Sequence, residues 1–441
     1  MGGSMRDLFL KHFENSSPRG PSWLESMRHE AMKRFGEMGI PSTRQEAWKF
    51  TSLEALSRIL FQPARVDQAQ KLSEDPRQDN SLLNLEGIRL VFVNGFFSKS
   101  LSSTTGLPQG VQVGSLKTAF DATPDLESYL SKKGESLTHP FVALNTAFLQ
   151  DGSFIRIPRG VRVECPIYLV YLTTAEESAI VSHPRNLIIA EEGSSARVIE
   201  IYQSIRKGIY LTNAVTEVHS GPGSAVEHYK IQDESESAFH LASMNVHQDR
   251  QSRFDSYSVS LGGALARNEI NTVLAEEGAE CLLNGLYLAG AKQHVDNQTS
   301  IDHAKPHGTS VELYKGILGG KSEAVFNGRI LVRQDAQKTS ARQTNRNLIL
   351  SDAALINTRP LLEIFANDVK CNHGATIGRL DLNQIFYLCA RGIGKEEAKA
   401  LLTRAFANEI LMQIPIEPLR DYLGKVVLHR LSASSFLEEA A

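Results

Sequence analysis

Residues 275–285 read Ala275-Glu-Glu-Gly278-Ala-Glu280-Cys-Leu-Leu-Asn284-Gly285, and both halves of the stretch return elsewhere in the chain. The opening four residues repeat Ala190-Glu191-Glu192-Gly193, each followed by small residues and then an alternating strand pattern. The closing six match Glu323-Ala-Val-Phe-Asn327-Gly328, at an offset of 43 residues. Glycines open similar segments at Gly223, Gly263 and Gly320. From about 153 to 380 almost every segment reads as a short strand, with examples at 167–172, 186–190, 196–202, 226–232, 256–261, 281–288, 329–332 and 347–350. An offset of 43 is too short for a sandwich domain and fits two solenoid rungs of about 21–22 residues each. A parallel β-helix also explains alternation without strong hairpin dipeptides. Its open ends need covering, which gives the flanking segments a structural task.

Those flanks are helical. Ser22 precedes Trp23, Leu24, Met27, Ala31 and Phe35 at helical spacing, with Glu25 placed for a capping box and Gly36 and Gly39 ending the segment. Thr51 with Glu54 repeats the signature and opens a short helix that buries Leu53, Leu56 and Leu60. Trp48 between them reads as an anchor of one helix to another. Residues 63–80 are polar and read as a linker. Residues 88–93 are β-rich and end at Asn94-Gly95, a tight-turn dipeptide, with a helical interlude expected at 119–132. After about residue 390 the chain turns helical again. Gly394 precedes an apolar face of Ala398, Leu401, Leu402, Ala405, Phe406, Ile410 and Leu411, and a second amphipathic helix follows Pro415 and Pro418. The face is wide for so small a unit, which assigns part of it to a partner. The expected division is 1–85 helical with a linker, 86–152 mixed α/β, 153–385 β-helix and 386–441 helical.

The 441 residues allow roughly three domains, and 41% hydrophobic with 22% charged residues is a globular composition. Lys+Arg 47 against Asp+Glu 50 gives a net charge of −3, which offers no global attraction for nucleic acid or an anionic membrane. Four scattered cysteines without a CxxC pair do not make a disulfide framework. The first residues lack a signal-peptide core, Asp7 and Glu14 do not suit a transit peptide, and Arg6 fills the position where myristoylation needs Ser or Thr. No apolar run reaches about 18 residues. A cytoplasmic protein is expected.

No GxxxxGK[ST], GxSxG or HExxH motif occurs. His303 and His307 have helical ligand spacing, but Lys305-Pro306 between them rules out a helix, so with His294 they read as ordinary surface or rung histidines. The most chemically loaded segment is Asp368-Val-Lys-Cys371-Asn-His373-Gly-Ala-Thr376. On a strand, Cys371 and His373 point to one face, where thiolate and imidazole suit iron or zinc. Cys371 as a small buried hydrophobe and His373 as a turn residue before Gly374 is the other reading. Two donors do not complete a tetrahedral site, so a metal here needs ligands from another chain.

Residues 337–411, from Gln337-Lys-Thr-Ser-Ala-Arg through Cys371-Asn-His-Gly-Ala-Thr376 to Ile410-Leu411, closely resemble the C-terminal signature of the SufB/SufD family of iron–sulfur cluster assembly proteins. The Cys-x-His-Gly-Ala-Thr form resembles its SufD-type branch. Further matches are residues 43–51, Leu144-Asn145-Thr146-Ala147-Phe148 and Tyr314-Lys315-Gly316-Ile317-Leu318. The resemblance implies a right-handed parallel β-helix between helical domains. It implies pairing with a SufB-like paralogue, a SufC-like ABC ATPase on each subunit, and an iron–sulfur cluster held transiently at the subunit interface. It makes His373 a candidate cluster ligand, with Cys371 beside it, and places ATPase docking on the helix after Arg391 and Gly392, with Leu402 and Phe406 on its apolar face. Some members are associated with a reduced flavin, for which this sequence shows no site. A homodimer of the isolated chain is a further possibility.

The reading is a non-enzymatic scaffold subunit of an ATP-dependent cluster assembly complex. One rival is the principal SufB-type cluster scaffold, against which stand only four cysteines, none in a cluster-binding run. The other is a carbohydrate-active β-helix enzyme, which needs paired carboxylates or a basic residue on one exposed β-face and usually a secreted chain.

Overall fold

The computed structural model describes residues 4–16, 20–65, 85–130, 138–175 and 178–431, so most of the expected 63–80 linker lies outside the described residues. Three N-terminal helices, α1 (Met5–Glu14), α2 (Ser22–Met38) and α3 (Glu54–Ser57), precede the strands, with α4 (Leu116–Ala122) and α5 (Pro140–Ala147) among the first of them. Two short strands, β1 (Gln62–Pro63) and β7 (Ile180–Ser182), pair at the margin. The first sheet then runs β4 (Gln112–Ser115), β5 (Gly152–Ile157), β8 (Arg185–Ala190), β10 (Tyr210–Ser220), β12 (Phe239–Gln248), β14 (Leu265–Leu274), β16 (His294–His303), β18 (Glu323–Val332), β20 (Leu355–Ile364). The second runs β3 (Phe96–Phe97), β2 (Ile88–Val93), β6 (Ile167–Thr173), β9 (Ser195–Ser204), β11 (Ala225–Asp233), β13 (Arg253–Ser260), β15 (Glu280–Ala289), β17 (Thr309–Leu318), β19 (Ser340–Ile349), β21 (Lys370–Gly378). From β8 onward successive strands alternate between the sheets and every ladder is parallel, which makes a β-solenoid of about 8 turns. Helices α6 (Leu382–Ala390), α7 (Lys395–Leu411) and α8 (Glu417–Leu431) end the described chain.

The turn is longer than the sequence repeat suggests. Glu280 pairs with Thr309 and His294 with Glu323, each 29 residues apart. Glu280 and Glu323 begin strands of opposite sheets, one and a half turns apart, so halving their offset does not give a rung. The true repeat lies at one corner. Gly193, Gly223, Gln251, Gly278, His307 and Lys338 all have positive φ, between 53° and 73°. Each donates its N–H to a carbonyl of the next corner, from Gly193 to Pro222 at 2.9 Å through to His307 to Gln337 at 2.9 Å. The Ala-Glu-Glu-Gly repeats are two rungs of this ladder. At Asn94-Gly95 both central residues have positive φ and β2 folds back on β3, as a primed turn requires.

Lumen-facing residues such as Ile88, Val198, Leu283, Tyr314 and Phe326 form the central core. Phe92, Tyr171 and Tyr202 stack on three successive strands with centroids 4.8 and 5.0 Å apart, a contact worth about 0.5–1.5 kcal/mol each beyond area burial. Outside the lumen, Phe9, Phe35 and Phe141 cover Leu211, Phe239 and Leu265 of the first sheet. On the second sheet, Ile410, Leu411, Leu419, Leu423 and Val427 cover Tyr229, Tyr257, Leu286 and Ile317. The helices therefore clothe the two flat faces. They do not cover the C-terminal end, contrary to the capping expected of them, and β20 and β21 are largely exposed there.

Several local expectations change. Pro21 is the N-cap of α2 and its carbonyl accepts from Leu24 and Glu25, so Ser22 is the first helical residue and caps nothing. Thr51 is drawn away from α3 by a stronger partner: its hydroxyl donates to the buried Asp296 carboxylate at 2.6 Å. Leu60 is exposed while Leu53 and Leu56 are buried. Trp48 is buried beside Phe141 and His139 of the α5 region, and the Arg267 guanidinium of β14 lies 3.8 Å from its ring centroid. On α7 the buried residues are Ala398, Thr403, Ala407, Ile410 and Leu411, so Leu401 and Ala405 turn outward.

Candidate functional site

β21 closes the second sheet at its open end and, among the described residues, pairs with β19 alone. Cys371 and His373 are two residues apart on it and therefore share a face. That face is the lumen side, because their register partners Ala341 and Gln343 are buried within the solenoid. Cys371 is half-buried against the central core, and burial pushes its thiol up, with the Ala341 backbone drawing it partly back. His373 is exposed. Among the described residues no three His, Cys, Asp or Glu side chains converge, so this face offers two donors and leaves the remaining positions open. Of the other candidate histidines, His294 opens β16, His303 is buried and bonded to Ser310 at 2.9 Å, and His307 occupies a corner.

The lumen behind this end is not wholly apolar. Glu312, on β17, is buried and accepts from the Gln343 amide at 2.7 Å. Burial pushes its carboxyl up to about 7, although Thr299 and Gln343 lower it in part. Deeper in the solenoid, burial likewise raises Glu200. There it is outweighed by the hydrogen bond and charge of His228, with Lys230 and Tyr202 adding, and the carboxyl rests at about 2. A cavity of about 600 Å³ lies at the opposite, N-terminal end, between Leu90, Phe97, Val113 and Phe154.

The four residues expected at a partner surface fall on the C-terminal helices. Arg391 is the C-cap of α6, its guanidinium 5.1 Å from the Tyr387 ring centroid, and Gly392 follows with φ 88°. Leu402 is half-buried. Phe406 packs beneath the Lys315 ammonium at 3.7 Å, and that ammonium is paired with Glu409 at 2.5 Å, so Phe406 fastens α7 to the solenoid. The sequence reading missed α6 as a helix. Its signal was Asp381, which caps it by accepting from Asn383. Leu382 and Phe386 on α6 are 77% and 75% exposed, and Leu355, Phe365 and Ile377 add apolar surface at the open end.

Comparison with known proteins accounts for nearly the whole chain. Residues 171–406 match the SUF system FeS cluster assembly, SufBD core domain, and residues 4–169 match the SufBD protein N-terminal region. An iron–sulfur cluster assembly SufBD family protein of Synechocystis sp. is 36% identical over 92% of this chain and 91% of its own. The iron–sulfur cluster assembly protein SufD of Escherichia coli is 34% identical over 89% of each. SufD of Bacillus subtilis is 26% identical over 96% and 97%. With a parallel solenoid, flanking helices and a Cys-x-His face on the edge strand, the chain belongs to the SufBD family of iron–sulfur cluster assembly proteins.

Proposed function

We propose that this chain is a non-catalytic scaffold subunit of SufD type, which pairs through the open end of its solenoid with a SufB-like paralogue. The nascent iron–sulfur cluster is its cargo, held transiently by His373, and by Cys371 if the thiol ligates, together with donors of the paralogue. A SufC-like ABC ATPase docks on the C-terminal helices near Arg391, Gly392 and Leu402, and the complex works in the cytoplasm. Among the described residues no helix is long and apolar enough to cross a membrane.

The observation that carries this reading is the pair of donors on an uncovered edge strand. An edge offers unpaired backbone groups to a second chain, and that chain can complete the coordination. The test is co-expression of the full chain with a SufB-like and a SufC-like protein, anaerobic purification, and iron and sulfide per complex. His373→Ala should leave assembly by size exclusion intact and lower both. Cys371→Ala should do less if the thiol packs and as much if it ligates. Undiminished cluster content in His373→Ala removes that residue from the site.

A further inference from the structure

Lumen-facing side chains of the second sheet form columns in register, and one column ends at His373. Leu283 pairs with Glu312, Glu312 with Gln343, and Gln343 with His373. Neighbouring strands lie about 4.8 Å apart, so successive side chains of a column are within reach of one another. Leu283, Glu312 and Gln343 are at most 1% exposed. The Gln343 amide is used at one end only. Its Nε2 donates to Glu312 Oε2 at 2.7 Å, whereas its Oε1 is buried without a partner among the described residues. The amide is also clamped from across the lumen. A Cβ at Gly328 would stand 2.3 Å from Gln343 Nε2 and 2.9 Å from its Cδ, so the absence of a side chain there is what admits it.

A buried carbonyl oxygen without a donor calls for one, and the next side chain along the column is an imidazole. A neutral imidazole that ligates a metal has one bare nitrogen and one N–H, and the partner of the N–H decides which nitrogen is bare. Resting on the reading of His373 as a cluster ligand, we propose that Gln343 is the positioning residue for His373. Its Oε1 accepts the ring N–H once the open end is covered, which turns the other ring nitrogen outward toward the cluster. Glu312 and Gly328 hold the amide in place for this. The neutral Gln343→Met variant keeps the volume and removes the acceptor.

The experiment uses the co-expressed complex, with iron and sulfide per complex, size exclusion and thermal melting for Gln343→Met, His373→Ala and the double variant. Gln343→Met should weaken cluster retention about tenfold, to the His373→Ala level. The double variant should be no worse than His373→Ala, because the effect passes through the imidazole. Gln343→Glu, which keeps an acceptor oxygen, should restore most of the loss. Wild-type cluster content in Gln343→Met, with His373→Ala depleted, overturns the positioning role alone. Undiminished content in His373→Ala overturns the ligand reading beneath it. A further loss in the double variant marks Gln343 as structural and overturns the proposal. Should Gln343→Met fail to fold, Gln343→Glu decides, because a folded Gln343→Glu complex without cluster refutes the acceptor argument.

Discussion

Replacing Glu312 by glutamine exchanges a buried carboxyl for a neutral amide of the same shape, so its effect on stability should depend on pH and on little else. Burial raises this carboxyl from 4.5 to about 7. Between those values the folded chain holds a proton that the unfolded chain has released, so stability falls as pH rises through the window. Below 4.5 both states are protonated and the penalty is absent; above about 7 it is complete. At about 1.36 kcal/mol per pH unit the full penalty is about 3 kcal/mol. For 441 residues, with an unfolding entropy of about 2.1 cal/mol/K per residue, that is about 3 °C in Tm. Scanning calorimetry of wild type and Glu312→Gln from pH 4.5 to 8 should show melting temperatures that nearly coincide at the acid end. The variant should lead by about 3 °C at the alkaline end. A difference that stays flat across the window would refute the assignment of the raised carboxyl to Glu312.

Asp296→Ala leaves the buried Arg267 guanidinium without one of its two carboxylates and Thr51 without its acceptor, which should cost about 3–5 kcal/mol and be read as a lowered melt. Gly193→Ala meets no atom of the described residues within 4 Å at φ 65°, so it should cost only the left-handed backbone, about 1–2 kcal/mol. Gly320→Ala, at φ 59° but 2.8 Å from the Ala291 nitrogen, should cost clearly more, and equal melts for the two variants would contradict the close approach of the backbone at Gly320. The chain purified without an ATPase should show no ATP hydrolysis in a phosphate-release assay, since its sequence contains no phosphate-binding loop of the GxxxxGK[ST] type.

The strands and the hairpin were legible because alternation and Asn-Gly report on local backbone alone. The turn length was not. The corner requires a left-handed residue, and glycine fills it at 193, 223 and 278, whereas Gln251, His307 and Lys338 fill it elsewhere, so the one-turn repeat is hidden by residue type. The similarity that survives, Glu280 to Glu323, crosses from one sheet to the other. Caps failed at Ser22 and Thr51 for a different reason. Pro21 preceded the first, and Asp296, 245 residues away in sequence, captured the second. At the site, Cys371 and His373 were legible as a pair. Gln343 and Glu312 were not, because only the register of β17, β19 and β21 brings them into one column.

In a solenoid each turn rests on its two neighbours, so local stability behaves as a one-dimensional nearest-neighbour chain and is lowest where a neighbour is missing. β20 and β21 form the C-terminal one of its two ends, each paired along one edge only among the described residues. Amide exchange in the isolated chain should therefore begin there and fade inward turn by turn. A partner laid against the exposed edge converts a terminal turn into an internal one. The same event that would bring in the missing ligands would thereby quench the opening motions of the strand that carries Cys371 and His373. Cargo capture and local rigidification would arrive together.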